Sequence, residues 1–205
     1  MQAHDAIASA LGPSLLATVR ALAPGVRLRL LSEGAVDALD LRHGTVDLEL
    51  GSSPSTVPEI REQPIGEDEL VLAMRADHPL AGVRVTERRY LAADHVTTSR
   101  RGRLRDRVDD LLAERGLQRR VVASAATTTT TLHLVARSDL ITLVPRGMCR
   151  RWLTALGLHT APPPFALPPS PIIATWHERY DNDRAHRWLR EQVAATVARG
   201  LAETP

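Results

Sequence analysis

The chain has 205 residues, 43% hydrophobic but only 3% aromatic, so Leu, Val, Ile and Ala must supply most of any core. All 26 basic residues are arginine, a compositional habit of a GC-rich genome, and the formal net charge of +2 is too small to make this chain itself a nucleic-acid binder. A single cysteine, Cys149, excludes an internal disulfide framework and suits a reducing compartment, and no apolar run reaches the roughly 18 residues of a membrane span.

Residues 1–24 predict a short strand and then a helix capped by Asp5, with Ile7, Leu11, Leu15, Leu16 and Val19 at helical spacing and Pro24-Gly25 as its stop. Val26, Leu28 and Leu30 alternate with Arg27 and Arg29, the pattern of a strand with one wet face. Residues 35–42 read as a short helix closed by Gly44, and 46–50 as the next strand, stopped by Gly51. This β-α-β-α-β order predicts a parallel sheet whose loops open at the strands' C-terminal ends, the edge at which open α/β sheets bind ligands. A Ser/Pro loop follows.

A second set begins with an apolar strand at 70–74 and the turn Asp77-His78-Pro79-Leu80. Thr86 caps a short helix ending near Leu91, and 95–98 is a brief strand. Residues 103–115 read as an amphipathic helix with Leu104, Val108, Leu111 and Leu112 on one face and Gly116 as its stop. A strand at 121–123, a helix at 127–137, a strand at 140–144 and a helix at 145–156 complete the set. The proline-rich stretch 161–171 predicts no regular structure; a strand at 172–176 and an amphipathic helix at 183–199 close the chain.

Two such sets and a returning helix imply an α/β fold of two Rossmann-like lobes joined by two crossover segments. Residues 1–68 plus 178–205 are expected to form lobe I and 69–177 lobe II, with crossings near 66–70 and 176–180. A cleft between two lobes is a natural small-molecule site.

Leu41, Gly44, Val46, Asp47, Leu48 and Gly51, followed by Leu70, Val71, Leu72, His78, Pro79, Leu80 and Ala81, resemble the paired motifs of the effector-binding domain of LysR-type transcriptional regulators. The run Ala23-Pro24-Gly25-Val26-Arg27-Leu28 and the segment 138–145 also fit that family, with Ser138 and Asp139 where it often has glycine. The resemblance extends over nearly the whole chain. It implies a periplasmic-binding-protein type II-like fold, a small-molecule effector in the interlobe cleft, and DNA binding only through an N-terminal winged helix-turn-helix that this chain lacks, as a fragment carrying the sensing half would. It further implies a side-by-side antiparallel homodimer, with helix 6–21 of one subunit against helix 146–156 of the other. Leu15, Leu16, Val19, Trp152 and Leu153 are the apolar residues available for it.

The family places effector contacts at positions matched here by Asp5 and Ala6 at the first helix start; by Thr98, Ser99 and Arg100 after a strand; and by Thr127, Thr128 and Thr129 at a later helix start. Exposed N–H groups at helix starts attract anions and polar oxygens, hydroxyls donate and accept, and arginine pairs with carboxylates. Ser52 and Ser53, just past Gly51, offer further hydroxyls, and Glu33-Gly34 lies at a comparable edge. The plain alternatives are capping at Asp5 and at the Thr run, and solvated loops at the arginines and serines. No metal spacing, paired cysteine set, nucleophile elbow or glycine-rich phosphate loop occurs, so neither a metal, a cofactor nor a catalytic role is expected. The favoured reading is a cytoplasmic effector-sensing domain that takes a small organic acid, aromatic acids included. A solute-binding protein of a transport system is the alternative with the same fold, and an enzyme on this scaffold the third reading.

Overall fold

The computed structural model describes residues 1–32 and 39–202. The chain forms two compact units, Met1–Asp68 with Pro169–Pro205, and Glu69–Pro168. The return to the first unit is thus at 168–169, not at the expected 176–180. The reason is β10 (Ser170–His177), which hydrogen-bonds along strands of the first unit and cannot belong to the second.

The first unit is built on a mixed sheet. β1 (Gln2–Ala3) runs parallel to β2 (Leu31–Ser32) and β3 (Glu49–Gly51), β10 lies antiparallel to β3, and β4 (Ile60–Asp68) closes the far edge. β4 contradicts the expected loop. Its Pro64 cannot donate a ladder bond, so it is tolerated only on an edge strand, and the register slips at Ile172/Ile173 opposite it. The alternating residues 26–30 form no strand; the ladder begins only at Leu31, whose N–H donates to Met1 O.

α1 (Asp5–Leu22) is capped by His4, not Asp5: the His4 ring Nδ1 accepts from the Ala6 N–H at 3.4 Å, and Asp5 is the first helical residue. α1 packs on α7 (Arg184–Ala202), with Leu15, Val19, Val193 and Val197 buried. Of the short helix expected at 35–42, residues 35–38 lie outside the described residues; α2 (Leu39–His43) buries Leu41 and is closed by Gly44 at φ 72°, a left-handed position that favours glycine. Val46 and Leu48 then enter the core, while Asp47 O accepts from His186 Nε2 at 2.8 Å.

The second unit has the sheet order β7-β6-β8-β5-β9, made of β5 (Leu70–Met74), β6 (Asp94–Thr98), β7 (Arg120–Ala125), β8 (Leu140–Pro145) and β9 (His159–Ala161). β6 is parallel to β7 and β8; β5 is antiparallel to β8 and β9. α3 (Glu87–Ala92) starts at the Thr86 cap, as its sequence implies. α4 (Arg107–Glu114) starts four residues later than expected. A capping box of Asp106 and Asp109 fixes that start, and Leu104, 54% exposed, stays outside the helix. α5 (Thr128–Val135) is capped by Thr127, and α6 (Arg146–Ala155) by Pro145 as its N-cap residue, not its first turn. The proline-rich stretch is irregular only between β9 and β10.

His78 explains the His-Pro-Leu-Ala turn. The Leu80 N–H donates to His78 Nδ1 at 3.0 Å, so Nδ1 carries no hydrogen and Nε2 donates to Asp139 O at 3.2 Å. The buried ring thereby ties the turn after β5 to the turn before β8, and Arg75 adds an ion pair to Asp139.

Candidate functional site

Within each unit the expected contact residues gather at the C-terminal ends of adjacent parallel strands. In the first, β1 leads into His4, Asp5 and Ala6, and β3 into Ser52; the strands are neighbours, and the His4 N–H donates to Leu50 O at 3.3 Å. Asp5 Oδ1 lies 3.5 Å from His4 Nδ1. The Ala6 N–H already meets the His4 ring, so the helix start offers fewer open donors than its sequence suggests. Ser52 and Ser53 are exposed loop residues, and Glu33-Gly34 lie outside the described residues.

In the second unit, β6 ends at Thr98 beside Ala125, the end of β7, and the Ser99 N–H donates to Ala125 O at 2.7 Å. Thr98 and Ser99 are half-buried and Arg100 is exposed. Ser99 Oγ accepts the Arg103 N–H at 3.0 Å, which shapes the turn holding the arginines. Past β7, Thr127 is occupied by its own helix: its Oγ1 accepts the Thr130 N–H at 3.1 Å and donates to Thr130 Oγ1 at 2.9 Å. The buried residues of α5 are Thr128, Thr131, Leu132 and Val135, so a polar run fills a core-facing stripe. Thr98 Oγ1 lies 2.9 Å from Thr131 Oγ1, and Thr131 Oγ1 lies 3.0 Å from Thr127 O. Thr131 is absent from the expected set. The signal for it was its spacing of four from Thr127 on a helix, which carries it to the buried face.

A second polar cluster sits at the opposite, N-terminal end of these strands. Arg119, its side chain 1% exposed, donates from Nε and Nη2 to the two carboxylate oxygens of Asp109 at 2.9 Å each, from Nη2 to Asp106 at 2.8 Å, and from Nη1 to the Tyr90 hydroxyl at 3.1 Å. Burial alone would push Arg119 down and Asp109 up. Their pairing reverses both, so Arg119 is raised and Asp109 held below the usual carboxylate range. Burial pushes the Tyr90 hydroxyl up to about 12 and the His95 ring down to about 4. His95 Nε2 donates to Tyr90 O at 2.8 Å, and its Nδ1 finds no partner among the described residues. A surface depression of about 500 Å³ lies beside this cluster, with Leu104, Arg105, Leu117 and Val121 in its wall. Arg119, Asp106, Asp109 and the Tyr90 hydroxyl are satisfied by one another as ion pairs and caps, a structural knot.

The apolar residues expected for a dimer divide. Leu15, Val19 and Leu153 are buried within their own units, which leaves Leu16, 44% exposed, and the half-buried Trp152. Among the described residues no group of three His, Cys, Asp or Glu is placed to hold a metal ion, and no helix is long and apolar enough to cross a membrane.

The LysR substrate binding domain model matches residues 1–198. The HTH-type transcriptional regulator SyrM of Rhizobium meliloti (strain 1021) is 29% identical over 201 residues, which are 97% of this chain and 60% of SyrM. Among solved structures, the probable transcriptional regulator PA0477 from Pseudomonas aeruginosa is 31% identical with a TM-score of 0.84, over 94% of this chain and 64% of that one. The regulatory domain of MexT, a transcriptional activator of the same organism, is 26% identical with a TM-score of 0.83, over 95% of this chain and 97% of that one. The chain thus spans about 60% of the length of curated relatives such as SyrM. The fold is the periplasmic-binding-protein type II-like one, and the relatives are transcriptional regulators, which decides against the transport reading. The chain belongs to the LysR substrate binding domain family and is the effector-sensing domain of a LysR-type transcriptional regulator.

Proposed function

We propose that the effector is a small organic acid, aromatic acids included. Thr98, Ser99, Arg100, Thr128 and Thr129 hold it in the second unit, with Thr127 shaping that helix start, and Asp5, Ala6 and Ser52 are the candidate contacts of the first. The observation that carries this reading is the hydroxyl-bearing edge where β6 and β7 end side by side and α5 begins. Half-buried hydroxyls at the C-terminal edge of parallel strands are ligand-binding geometry, and an arginine beside them supplies charge for a carboxylate.

Binding acts on transcription through a helix-turn-helix part of the kind that the relatives' names describe. For that, the ligand must favour one arrangement of the domain over another by its differential affinity. The domain binds the ligand without turning it over, works in the cytoplasm, and pairs with a second copy through α1 and α6, where Leu16 and Trp152 remain available.

Thr98→Val and Thr128→Val each remove one hydroxyl while nearly keeping side-chain volume. Each variant is expected to weaken acid binding by roughly threefold to tenfold, the worth of one hydrogen bond. Isothermal titration reads the affinity and circular dichroism confirms the fold. Unchanged affinity in both variants overturns the site assignment.

A further inference from the structure

The hydroxyl chain at this site has a direction, and the direction restricts the ligand; the inference rests on the site reading above. A threonine hydroxyl has one hydrogen to give. Thr131 Oγ1, fully buried, lies 3.0 Å from Thr127 O and 2.9 Å from Thr98 Oγ1. A carbonyl oxygen only accepts. Both contacts are hydrogen bonds only if Thr131 donates to Thr127 O and Thr98 donates to Thr131. Thr98, the half-buried outer end of the chain, then has its hydrogen committed inward and turns only acceptor capacity outward.

We infer that the effector carries a hydrogen-bond donor, a hydroxyl or an N–H, at the position that meets Thr98 Oγ1, and that its carboxylate lies elsewhere in the site. A donor placed there extends the chain to three bonds: ligand to Thr98, Thr98 to Thr131, Thr131 to Thr127 O. A carboxylate oxygen placed there meets lone pairs. It is admitted only if Thr98 turns its hydrogen outward, and then the one hydrogen of Thr131 cannot serve both neighbours, so either the Thr98–Thr131 bond or the Thr131 bond to Thr127 O is lost. The site therefore selects a hydroxylated or amino-bearing acid over the plain acid of the same skeleton by about one hydrogen bond, roughly threefold to tenfold in affinity. Thr131 touches no ligand in this scheme; it is a positioning residue that sets the polarity of Thr98.

The test uses matched probes: benzoate against its 2-, 3- and 4-hydroxy forms, and succinate against malate, titrated into the chain by calorimetry. The expected result is a threefold to tenfold preference for the hydroxylated member of at least one pair. Thr131→Val narrows that preference, because Thr98 regains a hydrogen that a carboxylate oxygen of the plain acid can accept. Thr131→Ser keeps it, because the chain of hydroxyls is intact. A ratio between two ligands is insensitive to a general loss of stability, and the wild-type comparison stands even where the valine variant fails to fold. Equal or better binding of the plain acids, or a preference left undiminished by Thr131→Val in a folded protein, overturns the inference and leaves the site reading in place. Saturable binding by none of these acids overturns the acid-effector reading and this inference with it.

Discussion

Arg119→Met is expected to lower the stability of the second unit by about 3–5 kcal/mol, the usual cost of breaking a buried pair by removing one partner. The guanidinium meets Asp109 through two bonds, Asp106 through one and the Tyr90 hydroxyl through another. Its removal leaves Asp109, its side chain 13% exposed, with a charge and no cation to meet it. The same two aspartates form the capping box of α4, so the loss reaches the helix start as well as the strand β7 that begins at Arg120. The double variant Arg119→Met, Asp109→Leu is expected to recover part of the loss, because no uncompensated charge remains buried. Urea unfolding followed by circular dichroism measures both. A loss below about 1 kcal/mol in the single variant contradicts the assignment of this cluster as a structural knot.

Stability is also expected to fall on acidification by about 3 kcal/mol from the His95 ring alone. Burial holds this ring neutral, with a folded value of about 4 against an ordinary 6.5. The unfolded chain therefore binds a proton that the folded chain does not throughout that interval. Stability is fully present above pH 6.5, declines as the pH falls toward 4, and is not lowered further by this group below that. His186 works in the same direction: burial lowers it first of all, and Arg190 Nη1 donates to its Nδ1, which leaves no room for a second ring hydrogen. Asp109 is depressed below the usual carboxylate value, so its contribution is lost only at lower pH and does not blur the interval. The check is urea unfolding between pH 7.5 and 4 for the wild type and for His95→Gln. The wild type is expected to show the slope and the variant to lose most of it. Equal slopes in the two proteins contradict the buried neutral ring as the cause.

The elements with strong local signals were legible from sequence. Gly44 and Gly116 stand at left-handed positions, φ 72° and 69°, just past the helices they close. Thr86 caps α3, and the apolar β5, β6 and β8 fall within a residue or two of their expected bounds. Elements held by distant partners were not legible. β4 reads as a polar loop because its residues are mostly exposed and one is proline; its strand character comes from β10, more than a hundred residues on. The helix expected from 103 fails at Leu104 because the Asp106–Asp109 box stops it, and an apolar residue at helical spacing is no proof of a buried face. At the candidate site the hydroxyl positions were legible as a family pattern. The direction of their hydrogen bonds depends on Thr131, which the sequence marks only by its spacing within the Thr run and which lies buried where α5 packs on the sheet. The His4 cap was hidden for a related reason: a ring nitrogen took the role that sequence statistics assign to Asp5.

The effector proposed for this chain is a small organic acid. Thermal unfolding of the purified chain against a panel of organic acids, aromatic carboxylates, amino acids and sugars tests this proposal most directly, since a ligand that binds only the folded state stabilises it by mass action, by about 2.7 kcal/mol at a hundredfold excess over Kd. The expected result is a saturable rise in Tm confined to the acids and smaller in Thr98→Val at the same ligand concentration. A flat response to every acid, or a rise confined to sugars, contradicts that proposal.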